Sequence, residues 1–297
     1  MQHDVIIVGG AFAGLAAATY LGRARRDVLV IDRGQPRNRF AEAAHGFLGF
    51  DGSSPASILA RARQQLATYP SVRLIDGEAA TAKVEEGGFS VTLQGGDTVF
   101  SRLAILAFGL RDSLDPIPGL GERWGKSVLH CPYCHGFEYS GRRLGVLWRT
   151  PMSAHQASLV AEWGPTTLYL NGAELDAESA AMLEQRGVAV EPAKVTALVG
   201  EGTALSAIAL ADGRESPLDA LYVAPKSTLS SPIADQLGAM IEEGPLGEVV
   251  RTDADKKTTV PGLYAAGDIA HAPHSVSLAV ADGATAGISV HRALVFG

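Results

Sequence analysis

Apolar positions in the first third of the chain come in short unbroken runs, separated by glycine-rich turns. Val5–Val8 leads into Gly9-Gly10-Ala11-Phe12-Ala13-Gly14 and then an alanine-rich stretch reaching about Arg25, and a second run, Val28–Ile31, ends on Asp32. Such runs suit strands buried on both faces, so the pattern predicts a strand–helix–strand unit with parallel strands. Ser54–Ala67 carries the caps and periodicity of a helix. Ala79–Val84 and Phe89–Leu93, joined by Glu85-Glu86-Gly87-Gly88, predict a small antiparallel insertion, and Leu103–Ala107 predicts a buried parallel strand closing on Phe108-Gly109. Pro116-Ile117-Pro118-Gly119 then marks a crossover between domains.

A second strand–helix–strand pattern follows at Leu144–Trp148, Ala154–Trp163 and Thr167–Leu170. Val188–Ala224 is strand-rich, Ala224-Pro225-Lys226 interrupts it, and a short helix is expected near Ile233–Leu237. The chain ends with a strand running into Gly267-Asp268, then His271-Ala272-Pro273-His274-Ser275 and a small-residue helix over Val276–Leu294.

The first glycine turn has the form G-x-A-x-x-G, after a strand and before a helix. That context lets the backbone approach a pyrophosphate while the helix N-terminus offers its free N–H groups. Asp32, eighteen residues beyond Gly14, stands where a carboxylate accepts hydrogen bonds from ribose hydroxyls. The following glycines and basic residues, from Arg33 through Asn38 to His45, read as a loop around an anionic, planar ligand. The second unit lacks these signals. Its turn is Trp148-Arg149-Thr150-Pro151-Met152-Ser153, with no glycine, and its second strand ends in Asn171-Gly172 with neither an acid nor arginines. Both features count against productive NAD(P)H binding.

A chain of 297 residues suggests about two domains, and 46% hydrophobic content supplies their cores. The formal net charge of −7 argues against a nucleic-acid surface. No apolar run is long enough to span a membrane, and no leader precedes the first strand, so a cytoplasmic protein is expected. The two cysteines, in His130-Cys131-Pro132-Tyr133-Cys134-His135-Gly136, are the only ones in the sequence. In a cytosolic protein such a pair serves redox chemistry or a metal. Haem attachment would need export, zinc would need a fuller ligand set, and a glutaredoxin-type site would follow the first strand of a small domain. A flavin-linked redox disulfide fits the surrounding sequence best, and no metal site is expected. At a helix start the thiolate is favoured. His135 has the ordinary proton affinity of a base working near neutral pH, whereas His130, His271 and His274 are expected to be structural.

Gly9–Gly14, the central C-x-x-C and Gly267-Asp268 ahead of the last helix resemble, in order and spacing over nearly the whole length, the low-molecular-weight thioredoxin reductase family. Cys-Pro-Tyr-Cys-His-Gly and the degraded second loop are most similar to its dithiol oxidase branch, which closes disulfides in holomycin- and gliotoxin-type natural products. The resemblance implies an α/β fold of two Rossmann-like nucleotide-binding domains, the second inserted into the first. Residues 1–114 and 247–297 would then bind FAD, 115–246 would carry the C-x-x-C, and the assembly would be a homodimer. It also implies that Cys131 exchanges with substrate and Cys134 faces the flavin. Gly9–Gly14, Asp32, Arg33, Asn38, His45, Gly109, Gly267, Asp268, Ser275 and Val276 are the expected cofactor residues. Where thioredoxin reductases carry an aspartate after the second cysteine, this protein has His135, which favours oxidation of a small dithiol by way of FAD, with oxygen or another non-nicotinamide acceptor. Two alternatives stay open: a reductase of a thioredoxin-like protein driven by NADPH or another donor, and a flavin-bound redox sensor without turnover.

Overall fold

The computed structural model describes residues 2–244 and 246–297. The protein forms two compact units: residues up to Arg39 with Phe47–Asp112 and Ser227–Gly297, and Phe40–Gly46 with Ser113–Lys226.

The first unit opens with β1 (Gln2–Val8), α1 (Phe12–Arg23), β2 (Val28–Asp32), α2 (Pro55–Leu66) and β3 (Val72–Asp76). An antiparallel pair follows, β4 (Ala79–Glu85) and β5 (Gly88–Leu93), then β6 (Thr98–Leu106) and β7 (Leu110–Ser113). Strand β6 is longer than the apolar pattern suggests. Thr98–Ser101 pairs antiparallel with β5, while residues 100–106 run parallel to β1. The mixed first half of β6, Thr98–Arg102, carries no buried apolar run, which is why only Leu103 onward is visible in the pattern.

The second unit contains β8 (Val128–Leu129), α3 (Pro132–His135), β9 (Leu144–Leu147), α4 (Met152–Val160), β10 (Thr166–Tyr169) and α5 (Ala177–Gln185). β11 (Ala189–Glu191) follows, then an antiparallel trio, β12 (Val195–Val199), β13 (Ala207–Leu210) and β14 (Glu215–Pro217), and finally β15 (Ala220–Val223). Its five-stranded sheet has the order β11-β10-β9-β15-β8 and is parallel throughout. Helix α5 has no counterpart in the expected elements. It begins at Asp176, whose carboxylate accepts the Ser179 N–H at 2.8 Å, but only Leu183 among its residues is fully buried, so it shows no apolar stripe.

The backbone returns to the first unit through β16 (Lys226–Leu229), α6 (Ile233–Gln236), β17 (Ile241–Gly244), β18 (Gly247–Val250), β19 (Leu263–Ala265) and α7 (Val276–Phe296). The return therefore begins at Ser227, correcting the expected boundary at 247. Three contacts draw residues 227–244 into this unit: β16 pairs with β7, Ile233, Ala234 and Leu237 enter the core beside Ala82 and Leu106, and Gln236 Oε1 accepts the Ala82 N–H at 2.9 Å. Strand β19 adds to the second half of β6, completing a seven-stranded sheet with the order β3-β2-β1-β6-β5-β4 and β19 beside β6. Helices α1 and α7 pack together on one face of this sheet with Ala17, Ala286 and Val290 buried.

Candidate active site

In the first unit, β1 delivers the backbone to the glycine turn. Gly9 has φ +109°, and a Cβ there would stand 2.3 Å from the Ala107 carbonyl oxygen; only glycine passes so close to the end of β6. A Cβ at Gly14 would lie 1.8 Å from the Gly9 carbonyl oxygen, so α1 can begin against the turn only with glycine there. Ala11, the N-cap of α1, has no side-group oxygen to cap the helix, and the first-turn amides of Phe12, Ala13 and Gly14 carry its positive end. Asp32 ends β2, nearly buried, and its Oδ1 accepts the Gly34 N–H at 3.2 Å. Its other oxygen takes the Arg63 guanidinium of α2. Sequence reasoning missed Arg63, whose Nε is buried without a partner among the described residues. Asn38 Oδ1 is likewise buried and unpartnered. An uncapped helix start, a carboxylate ending the second strand and these two orphaned polar atoms fit a dinucleotide.

The C-terminal return brings the Gly267-Asp268 turn into the same unit. Gly267, at φ +80°, donates its N–H to Asp282 Oδ2 at 3.2 Å. Asp282 lies in α7 and also pairs with Lys256 at 2.6 Å and His271 at 2.9 Å; its hydrogen bond with His271 raises the proton affinity of that imidazole. Asp268 accepts Arg37 Nη1 at 3.0 Å, and the remaining Arg37 donors reach both Asp112 oxygens at 2.8 and 2.7 Å and Ser227 Oγ at 3.1 Å. His274 Nδ1 stands 2.8 Å from Arg37 Nη1. Arg37, one of the basic-loop residues, thus ties β7 and β16 to the Gly267-Asp268 turn. Arg33 Nη1 reaches the Ser230 carbonyl at 3.4 Å, and Gly109, at φ +74°, accepts the Ser230 N–H at 3.1 Å. Ser275 caps α7 by accepting the Leu278 N–H at 3.1 Å, with Val276 as the first helical residue.

In the second unit, Cys131 is the N-cap of α3 and Cys134 lies in that single turn; both are free thiols. A hydrogen bond from the Cys134 thiol lowers Cys131 to about 7, helped by backbone N–H groups of Tyr133 and Cys134 and opposed by burial. One helical turn carries little macrodipole, so these local bonds, more than the helix as a whole, account for the shift. Cys134 moves upward because it is the donor in the same S–H···S contact, and burial adds to the effect. Once Cys131 is bonded to another sulfur, the charge holding that proton is gone.

Burial lowers the proton affinity of His135 most, and neighbouring His45 adds to this, while Glu138 opposes them. His45 lies in the second unit, where its ring is edge-on to His135, centroids 6.1 Å apart, and its Nε2 is 3.4 Å from Glu138 Oε1. Tyr222 on β15 was also missed; it is fully buried, its hydroxyl has no partner among the described residues, and the thiols and Glu138 act on it electrostatically. His130 Nδ1 is 3.3 Å from the Val223 carbonyl. Among the described residues no group of three or more His, Cys, Asp and Glu side groups is gathered to hold a metal.

The glycine-less turn of this unit satisfies its own amides. Ser153 Oγ accepts the N–H groups of Arg149 at 3.0 Å and Thr150 at 3.3 Å, and Arg149 Nη1 pairs with Asp115 at 2.8 Å.

The thiol assignment carries a pH prediction. Alkylation of the reduced protein at Cys131 is expected to rise about tenfold per pH unit below pH 7 and to level off above it, because the thiolate is the nucleophile. Rates measured from pH 5 to 10 check this, and a midpoint at the ordinary thiol value would contradict the lowered Cys131.

Two Rossmann-type units, one with a glycine turn that fits a dinucleotide and one with a C-x-x-C dithiol, define an oxidoreductase acting on disulfides. The protein belongs to the pyridine nucleotide-disulphide oxidoreductase family, whose model matches residues 3–149 and 152–283; membership implies a bound flavin. It is 33% identical over 301 residues to the thioredoxin reductase tcpT of Claviceps purpurea, covering 96% of this sequence and 92% of that one. With the thioredoxin reductase sirT of Leptosphaeria maculans it shares 30% over 306 residues, covering 97% and 93%. Among solved structures, an oxidoreductase from Agrobacterium tumefaciens superposes with a TM-score of 0.95 at 44% identity, covering 100% and 99% of the two proteins. The protein HlmI superposes with a TM-score of 0.93 at 35% identity, covering 99% and 93%. The thioredoxin reductase-like resemblance and the two-domain Rossmann fold are thereby borne out. No described helix is long and apolar enough to cross a membrane.

Proposed function

We propose that this protein oxidises a small dithiol to a disulfide, using Cys131, Cys134 and FAD, with oxygen or another non-nicotinamide carrier as final acceptor. The observation that carries the reading is the self-satisfied turn at Trp148–Ser153. A nicotinamide dinucleotide needs open backbone amides at that turn, and here Ser153 takes two of them while Asp115 holds the nearby arginine. The helix start after Gly9-Gly10 has no such hydroxyl cap.

In the oxidised enzyme a substrate thiolate attacks Cys131, forming a mixed disulfide and releasing Cys134 as thiolate. His135, neutral at and above its lowered affinity, takes the proton from the incoming thiol. The second substrate thiol then attacks its own sulfur partner, freeing Cys131 and closing the product disulfide. FAD, when bound, would supply the two-electron acceptor that lets Cys134 thiolate close the enzyme disulfide back onto freed Cys131, with oxygen (to hydrogen peroxide) or another carrier as the final acceptor. Gly9–Gly14 and Asp32 would hold the pyrophosphate and ribose, with Arg33, Asn38, Gly109, Gly267, Asp268, Ser275 and Val276 around the rest of the cofactor. A cytoplasmic homodimer completes the reading, and light scattering in solution checks the assembly.

The names of the curated relatives favour one competing reading, reduction of a thioredoxin-like protein. Anaerobic mixing separates the two. A dithiol is expected to bleach the flavin within seconds while NADPH leaves it yellow; rapid bleaching by micromolar NADPH overturns the oxidase in favour of the reductase, and bleaching by neither favours the sensor.

A further inference from the structure

We infer that His45 and Glu138 are a positioning pair for His135, acting from opposite directions to set how tightly the imidazole beside Cys134 holds the proton it takes from a thiol. The inference rests on the dithiol reading, because it refines the part His135 plays there. His45 sits on a segment, Phe40–Gly46, whose neighbours hold it in the second unit. A Cβ at Gly125 would stand 2.8 Å from Phe40 Cβ, and Glu42 accepts Lys126 Nζ at 2.7 Å. Anchored this way, the segment turns the His45 ring edge-on to His135 and its Nε2 toward Glu138. Glu138 lies in the 3-10 turn Phe137–Tyr139 that directly follows α3, so it moves with the dithiol helix.

The charged and titratable groups facing His135 divide cleanly. Glu138 favours the imidazolium and His45 disfavours it, in the same sense as burial. The Cys131 and Cys134 thiols lie on its own turn. Glu138 also acts electrostatically on Tyr139 and Tyr222, both kept protonated by burial, and Arg142 lies over the Tyr139 ring at 5.7 Å. A base for thiols must be neutral where thiolates begin to form, yet still basic enough to take a proton. One neighbour pushing each way holds the imidazole near that point, which burial alone would overshoot.

Histidine NMR of the reduced, flavin-loaded protein carrying isotope-labelled histidine, titrated with pH, tests this. The His135 signal is identified as the one lost in His135→Gln. Glu138→Gln is expected to lower the His135 midpoint by about half a pH unit, the scale of one partly solvated charge at this range. His45→Phe, which keeps a ring against His135, is expected to raise it by a similar amount, and the double variant to return close to the parent. Glu138→Asp keeps the charge and is expected to stay near the parent, separating electrostatics from packing. Shifts in the same direction, or no shift in either single variant, overturn the inference. The outcome is independent of turnover: if a dithiol fails to bleach the flavin while the opposed shifts persist, the oxidase reading fails and the pair stands.

Discussion

Cys134→Ser is expected to purify yellow and to lose reduction of its flavin by dithiols by at least about a thousandfold, the scale seen when a covalent nucleophile is removed. Serine preserves size, and the α3 turn is held by backbone bonds such as Gly136 N–H to Pro132 O at 2.6 Å, so folding should persist. What disappears is the sulfur assigned to face the flavin, and with it the partner with which freed Cys131 re-forms the enzyme disulfide. Cys131→Ser is expected to lose as much by a different route, having no electrophilic sulfur for the substrate thiolate. Because the two act as one unit, the double variant should be no worse than either single one. Anaerobic stopped-flow absorbance checks all three, and retained bleaching in Cys134→Ser would remove the dithiol from the pathway.

The second large effect belongs to the cradle. Gly14→Val is expected to give protein with little or no bound flavin and a lowered Tm, while far-UV circular dichroism stays close to the parent. Even the first added carbon collides with the Gly9 carbonyl oxygen, so α1 must slide away from the glycine turn. Overpacking of this kind costs about 1–3 kcal/mol or more, and it moves the helix-start amides assigned to the pyrophosphate. Flavin content by absorbance ratio and affinity by fluorescence quenching read the effect; full occupancy in Gly14→Val would show that the cofactor does not depend on this turn. At Gly283 of α7 an added Cβ would meet the Ala13 carbonyl oxygen at 2.0 Å, so the same helix start is also fixed from the C-terminal return.

Features carried by neighbouring residues were open to reading from the sequence. Glycines are required where the backbone of β1, the turn and α1 meet, and Asp32 falls at the end of a strand whose apolar run announces it. The cysteine pair needed no fold to be noticed. In the structure Pro132 stands in the first turn of α3, where a missing N–H costs nothing. The break at Ala224-Pro225-Lys226 was equally visible. What it separated was not, because Ile233, Ala234 and Leu237 are apolar enough for either core.

The sequence by itself determined the parts: a dinucleotide turn, a dithiol, a second turn without glycine, and a C-terminal return ending in Gly-Asp before a helix. The tertiary structure alone decided which residues those parts face. Arg37 meets Asp112 and Asp268 across 75 and 231 positions, Arg63 settles on Asp32, Ser153 closes the amides of its own turn, and His45 joins His135 and Glu138. A backbone turn imposes its residue preferences within a few positions, through φ and steric contact. A pairing between residues on distant segments depends on how sheets and helices pack, and leaves no periodic trace in the sequence.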